Sequence, residues 1–298
     1  MKRVSIIIVT YNSEKDIFDC VESIKAHADI PLAEIELIIV DNNSREPEPM
    51  FQRLRQQWGE DIVCIENTHN GGYGQGNNVG IQRSTAPVIL IMNPDVRIMD
   101  PFFRKPLEAF DRDPKLTMYG MKQMLTPTEP SSYSIICTYM MNGYLRSILN
   151  MVASRLDHYI PSLMYFSGSC FYIRKEPFAE IGMFDESVFM YGEEEDIHYR
   201  MAEKFGNHFR YDTSLRYLHL TKERKPDLKY ETTLLDVAIK QNEKKGYPAW
   251  KTLRNFQQKN NIQLLRERLK IRLGRGNEEL LALLIQLSDI LKAKQQSL

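Results

Sequence analysis

A handful of short polar runs carry the residue types that do chemistry. GEEED, residues 192–196, precedes an apolar pattern at helical spacing. At about 100° per residue, Glu194 shares a face with Ile197, Met201 and Phe205, while Asp196 points almost opposite. Glu194 is thus the acid expected to aim inward from the first turn of a helix. Burial there raises a carboxylate pKa, whereas the helix N-terminus and a nearby metal lower it, and those levers tune a general base. An acidic first turn also complements the helix macrodipole, which accounts for the acids in general but not for one on the apolar face. NPDV, residues 93–96, follows the apolar run VILIM. A carboxylate at a strand exit, here Asp95, is a natural ligand for magnesium or manganese, which take one or two protein carboxylates plus phosphates and waters. In isolation the same residues read as a proline-led turn.

The remaining candidates are more ambiguous on their own. Asp41 ends an apolar run and opens DNNS, where its carboxylate either accepts from a nucleobase imide or caps a turn. HNGGYGQGNNVG, residues 69–80, has five glycines in the ten positions from Gly71. It is neither G-x-G-x-x-G nor a Walker A loop. Either its glycines let backbone approach a sugar or diphosphate, with Asn77 and Asn78 as hydrogen-bonding groups, or it is a flexible loop before a helix. His219, closing LRYLHL, reads as a late metal ligand or as a satisfied edge-strand histidine.

These residues need elements to position them. Residues 4–10 and 35–40 are short β-branched runs that read as strands buried on both faces. Between them, Ser13-x-x-Asp16 resembles a capping box, and Ile17, Cys20, Val21 and Ile24 form a helical stripe. Further strands are expected at 61–66 and 88–92, with a helix within 71–84. The pattern predicts an α/β fold with a mainly parallel sheet flanked by helices, whose ligands lie beyond the carboxyl ends of the strands. Residues 113–165, rich in proline, methionine and tyrosine, read as a variable insert. Strand-like pieces return at 170–173 and 209–218, around a helix at about 194–205. The chain is expected to be helical from 222 onward, with Leu280, Leu284, Leu287 and Leu291 on one face.

The chain has 298 residues, 43% hydrophobic and 26% charged, in the range of a globular protein of one large domain or two smaller ones. Lys plus Arg equals Asp plus Glu at 39 each, which argues against a dedicated nucleic-acid binder. The balance hides asymmetry, because residues 222–275 hold 15 basic and 6 acidic side chains. Four cysteines without a C-x-x-C pair exclude a zinc ribbon and a thioredoxin motif. The N-terminal apolar run is too short and β-branched for a signal peptide, and no run of about 20 apolar residues exists to span a bilayer. A reduced, cytoplasmic protein is expected. The basic tail and its leucine face suggest contact with the inner membrane surface or homodimerisation, against simple packing on the main domain.

Taken in order, SIIIVTYN, IIVDNNS, NGGYGQGNNVGI, ILIMNPDV, the run from Phe166 to Asp196 and the later histidine resemble the inverting nucleotide-sugar glycosyltransferases of family 2, with the GT-A fold. The NPD form looks most like the rhamnosyltransferase-type subgroup of cell-envelope polysaccharide assembly. The resemblance implies a catalytic domain at 1–221, with a nucleotide-sugar half to about 100 and an acceptor half from 101, followed by a basic helical extension at 222–298. It implies that Thr10, Tyr11 and Asn12 line the nucleotide pocket, with Asp41 and Asn43 at base and ribose, and that Gly72, Gly76 and Asn77 lie beside nucleotide and sugar. Asn93-Pro94-Asp95 corresponds to D-x-D, so Asp95 would hold Mg2+ or Mn2+ with His219. Glu193-Glu194 corresponds to the Glu-Asp pair whose second member is the base. The implied donor is a UDP- or dTDP-sugar and the acceptor a glycan or lipid-linked glycan. This sequence departs from the family at Asn93, at Glu194 in place of Asp, and at HLTKERK after the histidine. A non-catalytic sugar-binding scaffold and a nucleotidyltransferase are the competing readings; the second would want a basic, glycine-rich loop after the first strand, where TYNSEKD stands.

Overall fold

The computed structural model describes residues 1–59, 61–220 and 227–297. The stretch after Leu220 in HLTKERK therefore lies outside the described residues. The chain divides into two compact units, Met1–Ser134 with Tyr159–Thr221 and Ile135–His158 with Lys222–Leu298.

The first unit is built on an eight-stranded sheet. Its strands are β1 (Val4–Thr10), β2 (Ile35–Asp41), β3 (Val63–Glu66), β4 (Val88–Met92), β5 (Val96–Ile98), β6 (Met118–Met124), β9 (Cys170–Arg174) and β10 (Phe209–His219). Short strands β7 (Ile135–Cys137), in the second unit, and β8 (Met164–Phe166), in the first, complete the set. The order is β3-β2-β1-β4-β9-β6-β10-β5. β1, β2, β3 and β4 pair in parallel, as does β6 with β10, whereas β9 runs antiparallel to both β4 and β6. β1 and β2 bury nearly every residue, as their unbroken β-branched runs require of strands covered on both faces.

Helices α1 (Ile17–Ala26), α2 (Pro47–Trp58), α3 (Tyr73–Arg83), α4 (Arg104–Arg112), α6 (Lys175–Glu180) and α7 (Glu193–Phe205) belong to this unit. The α1 stripe is buried as expected, but its capping box does not form. Asp16 occupies the N-cap without a side-chain bond, and the Ser13 hydroxyl bonds instead to Tyr11. All four cysteines are free.

Register explains why one edge of the sheet collects the chemistry. β1 and β2 end together at Thr10 and Asp41, and β4 ends on the same side at Met92, two residues short of Thr10. Antiparallel β9 begins opposite Met92, at Cys170. β6 runs against β9 and carries β10 in parallel, so His219 at the end of β10 returns to the same edge and pairs with Val96.

The expected insert at 113–165 is not one element. β6 within it is a central strand whose burial pattern shows no period-2 alternation to read. Residues 135–158 belong to the second unit, with α5 (Gly143–Leu156), α8 (Leu228–Lys244), α9 (Ala249–Arg272) and α10 (Glu278–Gln296). Asn142 caps α5 by accepting from the amides of Tyr144 and Leu145. A Cβ at Gly143 would stand 1.9 Å from the Asn255 carbonyl oxygen, so glycine allows α5 to start against the α9 backbone. Leu235, Ala238, Leu253, Phe256, Leu287 and Leu291 form this unit's core, and Tyr139 stacks on Phe256 with ring centroids 5.1 Å apart. The leucine face of α10 is therefore interior, with Leu284, Leu287 and Leu291 buried and Leu280 half-buried. Among the described residues, no helix is long and apolar enough to cross a membrane.

Candidate functional site

The loops after β1 and β2 are tied into one wall. The Asn42 amide donates to the Thr10 carbonyl at 2.7 Å, and the Asn12 amide donates to Ser44 Oγ at 2.8 Å. Asn12 and Asn43 both adopt positive φ, 50° and 68°, a conformation asparagine tolerates better than most residues. Tyr11 stands 55% exposed beside them, and Asn12 and Asn43 are also exposed. Asp41 and Thr10 are at 0% exposure. Asp41 Oδ1 accepts from the Thr10 and Ser44 hydroxyls at 3.1 and 2.7 Å, and Oδ2 accepts from the Ser44 amide at 2.7 Å. The carboxylate expected at the base thus caps the turn. Thr10 and Asp41 build the wall, and Tyr11, Asn12 and Asn43 present its surface.

The glycine-rich segment is likewise occupied by protein. Gly72 has φ 93°, and a Cβ there would lie 1.9 Å from the Phe189 carbonyl oxygen, which accepts from the Tyr73 amide at 3.0 Å. Gly76 leaves room for Val9, whose Cγ1 would be 2.8 Å from an added Cβ. Asn77 is buried and donates to the Tyr73 carbonyl. Asn78, also buried, bonds to the Phe184 backbone and to Glu186. Both sit on the inner side of α3, where Asn77 Oδ1 is buried with no hydrogen-bond partner among the described residues. Sequence reasoning missed the amides that do line this region. Asn67 donates to Asn42 and Gln75, and Asn42 donates to Asn70 and the Gly72 carbonyl. Asn42 falls in DNNS and Asn70 and Gln75 in the 69–80 segment, but nothing in the sequence says that they meet one another and Asn67.

At the exit of β4 the Asn93 amide donates to the Ser169 carbonyl at 2.8 Å, and its own carbonyl accepts from Val96. This turn presents Asp95, whose Oδ1 lies 3.2 Å from His219 Nε2. The Leu220 amide donates to the Asp95 carbonyl, fixing the two chain segments together. Among the described residues, His219 Nδ1 is buried without a hydrogen-bond partner. Arg97, another residue the sequence did not single out, braces the turn by donating to the Pro94 and Val96 carbonyls.

The acids of α7 sit at the same edge. Seating of the 185–192 loop on Gly72 leads through Tyr191 and Gly192, both at positive φ, into the first turn. The expected inward and outward faces do not hold for this turn. Glu193, Glu195 and Asp196 are buried at 5–6% exposure, while Glu194 retains partial exposure. Asp196 does turn aside, to Arg200 at 2.6 Å, and Arg200 also donates to the Ile181 carbonyl. The Glu194 carboxylate packs on Gly168 and accepts from its amide, and the Tyr73 hydroxyl donates to the Gly168 carbonyl at 2.6 Å.

Burial raises the pKa of Glu194, opposed by backbone amides, its own and that of Gly168. Burial also raises Glu193, with the neighbouring Glu194 charge adding to the effect, and among the described residues one Glu193 oxygen has no partner. His198 is pushed down to about 4 by burial and so is neutral, donating from Nδ1 to the Glu194 carbonyl at 2.7 Å. The edge thus brings together an exposed aromatic–amide wall, a carboxylate–imidazole pair and a base-like carboxylate.

The chain is 29% identical over 216 residues to the low-salt glycan biosynthesis hexosyltransferase Agl10 of Haloferax volcanii, covering 66% of this chain and 60% of that protein. The fold matches a mannosyltransferase from Pyrobaculum calidifontis, solved with GDP-Man and Mn2+, at TM-score 0.60 and 14% identity over 99% of this chain and 83% of that one. It also matches S. aureus TarS 1–349, solved with UDP-GlcNAc, at TM-score 0.53 and 18% identity over 80% and 66%. These neighbours bear out the GT-A-type mixed α/β fold. The model of Glycosyl transferase family 2 matches residues 5–182, more than half of the sequence, and the chain belongs to that family.

Proposed function

We propose that the first unit transfers a hexose from a nucleoside-diphosphate sugar to a hydroxyl of a glycan or lipid-linked glycan, with inversion at the anomeric carbon. The observation that carries this reading is the convergence of Asp95–His219 and Glu194 on the sheet edge that also holds Tyr11, Asn12 and Asn43. The acceptor oxygen would bond to the anomeric carbon as the bond to the diphosphate breaks, and its proton would pass to a Glu194 oxygen. The raised pKa makes that carboxylate a stronger base than an exposed one, while the Gly168 amide holds its orientation. Glu193, buried beside it, would sense and tune its charge.

Asp95 and His219 suit a divalent cation. A carboxylate and an imidazole in contact, the latter's second nitrogen buried, supply two ligands and leave the rest to diphosphate and water. When bound there, Mg2+ or Mn2+ would neutralise charge on the departing diphosphate. Mn2+ in the Pyrobaculum structure supports this assignment. Tyr11 offers a ring for a nucleobase to stack on, with Asn12 and Asn43 as polar partners, in keeping with a UDP- or dTDP-sugar. We assign the nucleotide end to residues 1–100 and the acceptor end to 101–221.

The test is a panel of UDP-, dTDP- and GDP-sugars, read by thermal stabilisation with and without Mn2+ and by NMR of the anomeric product. One donor should stabilise the protein in a metal-dependent way that Asp95→Ala removes, and the product should be inverted. A retained anomer, or metal-dependent stabilisation that survives in Asp95→Ala, would overturn the mechanism.

A further inference from the structure

An apolar stripe of the second unit lies uncovered at the end of α9, apart from the buried leucine face of α10. At the end of α9, Leu265 is 62% exposed, Leu269 49% and Leu273 73%. At 3.6 residues per turn these three fall within about 80° of one another. On the same projection Arg268 and Arg272 flank one side of the stripe, and Arg266 and Lys270 flank the other. All four are exposed, as is Arg275 just beyond the helix. The acid within this stretch, Glu267, projects to the opposite side and is 3% exposed. Its Oε1 accepts from the Asn277 amide at 2.6 Å and its Oε2 from Lys270 at 3.2 Å, so it fastens the α9–α10 turn. The outward face of residues 265–275 therefore combines leucine and cation without an outward acid.

We propose that this face docks the protein on an anionic lipid surface, with the leucines entering the headgroup boundary and the arginines reaching phosphates. The arrangement is that of an in-plane amphipathic helix, where cations beside an apolar stripe lay their stems along it and keep their charges in the headgroup layer. Charge complementarity selects the occupant. A second copy of the same face would bring arginines against arginines, whereas anionic headgroups neutralise them. α10 opens with exposed Glu278 and Glu279, so attraction rests on this face rather than on the unit's total charge. The proposal is independent of the sugar-transfer reading.

The experiment uses the full chain and sedimentation with vesicles of phosphatidylcholine alone or mixed with phosphatidylglycerol, at low and high salt. Binding should require phosphatidylglycerol and weaken with salt. Leu265→Ser/Leu269→Ser/Leu273→Ser and, separately, Arg268→Glu/Arg272→Glu should each lower the bound-to-free ratio at least about tenfold. Thermal melts should stay near wild type, because these side chains are exposed. α5 carries its own exposed apolar residues, Leu145, Ile148 and Val152. If Leu145→Ser/Ile148→Ser/Val152→Ser abolishes binding while the α9 variants keep it, the assignment to α9 is overturned. Equal binding to neutral vesicles, or a dimer in light scattering that the leucine variant dissolves, would also overturn it.

Discussion

Glu194→Gln isolates proton transfer from architecture. The glutamine carbonyl oxygen can still accept from the Gly168 amide, and the backbone contact with His198 is untouched. What is lost is a group able to take a proton from the acceptor hydroxyl. Removing a general base lowers kcat about 10²–10⁴-fold, roughly 2.7–5.4 kcal/mol of transition-state stabilisation. Donor affinity by calorimetry should be unchanged, because Asp95, His219 and the Tyr11 wall are intact. The pH profile gives a second reading. With its pKa raised, Glu194 is protonated and inactive at low pH, so kcat/KM should climb through a limb above the ordinary carboxylate range. That limb belongs to the Glu193–Glu194 pair as a unit. It should vanish in the glutamine variant. Asp196→Asn is the control: it weakens the contact with Arg200, costing about 1–2 kcal/mol of stability, with kcat per folded molecule retained. Wild-type turnover in Glu194→Gln, or loss at 196 without loss at 194, would refute the assignment.

Glu193→Gln should stabilise the protein increasingly as pH rises. The folded-state pKa of Glu193 lies above its unfolded value, so the native state holds the proton longer, and stability falls as pH climbs between the two at up to about 1.36 kcal/mol per unit. Melts at pH 5 and pH 8 check this, and a difference from wild type that does not grow with pH would mean that the carboxyl is not desolvated. Gly72→Ala should lower both melting temperature and turnover, since its Cβ meets the Phe189 carbonyl and φ 93° strains an L-residue. A variant with wild-type melting and activity would show that the 185–192 loop does not need this seat.

Much of the first unit was legible because its strands speak through composition. VSIIIVT, IELIIVD and VILIM are buried on both faces, and such runs cannot hide as helices or loops. β6 was not, because Met-Tyr-Gly-Met-Lys-Gln-Met carries neither β-branched residues nor alternation, and its place beside β9 and β10 comes from tertiary pairing. The α10 stripe was legible as a stripe, but periodicity does not say what covers it. Leu235, Leu253 and Phe256 do, from the same helical unit. The polar wall was least legible. Asp41, Asn77 and Asn78 have the residue types of ligand-binding positions, yet Asp41 binds the Thr10 and Ser44 hydroxyls, Asn77 Nδ2 the Tyr73 carbonyl and Asn78 the Phe184 backbone and Glu186, and only the fold shows which amides turn inward.

The first turn of α7 shows how a pattern can point to a residue for a reason the fold replaces. Helical phase singled out Glu194 as the acid that turns inward. In the structure its three acidic neighbours are the more enclosed. A single helix projection assumes one buried face, but here the 185–192 loop, the Ser167–Ser169 turn and the packed face of α7 surround the N-terminus on several sides. Asp196 is closed off by Arg200 and Glu193 by burial, which leaves Glu194 as the carboxylate with both a raised pKa and partial exposure. A base needs both properties, since a fully enclosed acid cannot meet an acceptor and a fully exposed one is a weak base at neutral pH. Partial exposure, rather than burial, is therefore the feature that separates Glu194 from the acids beside it.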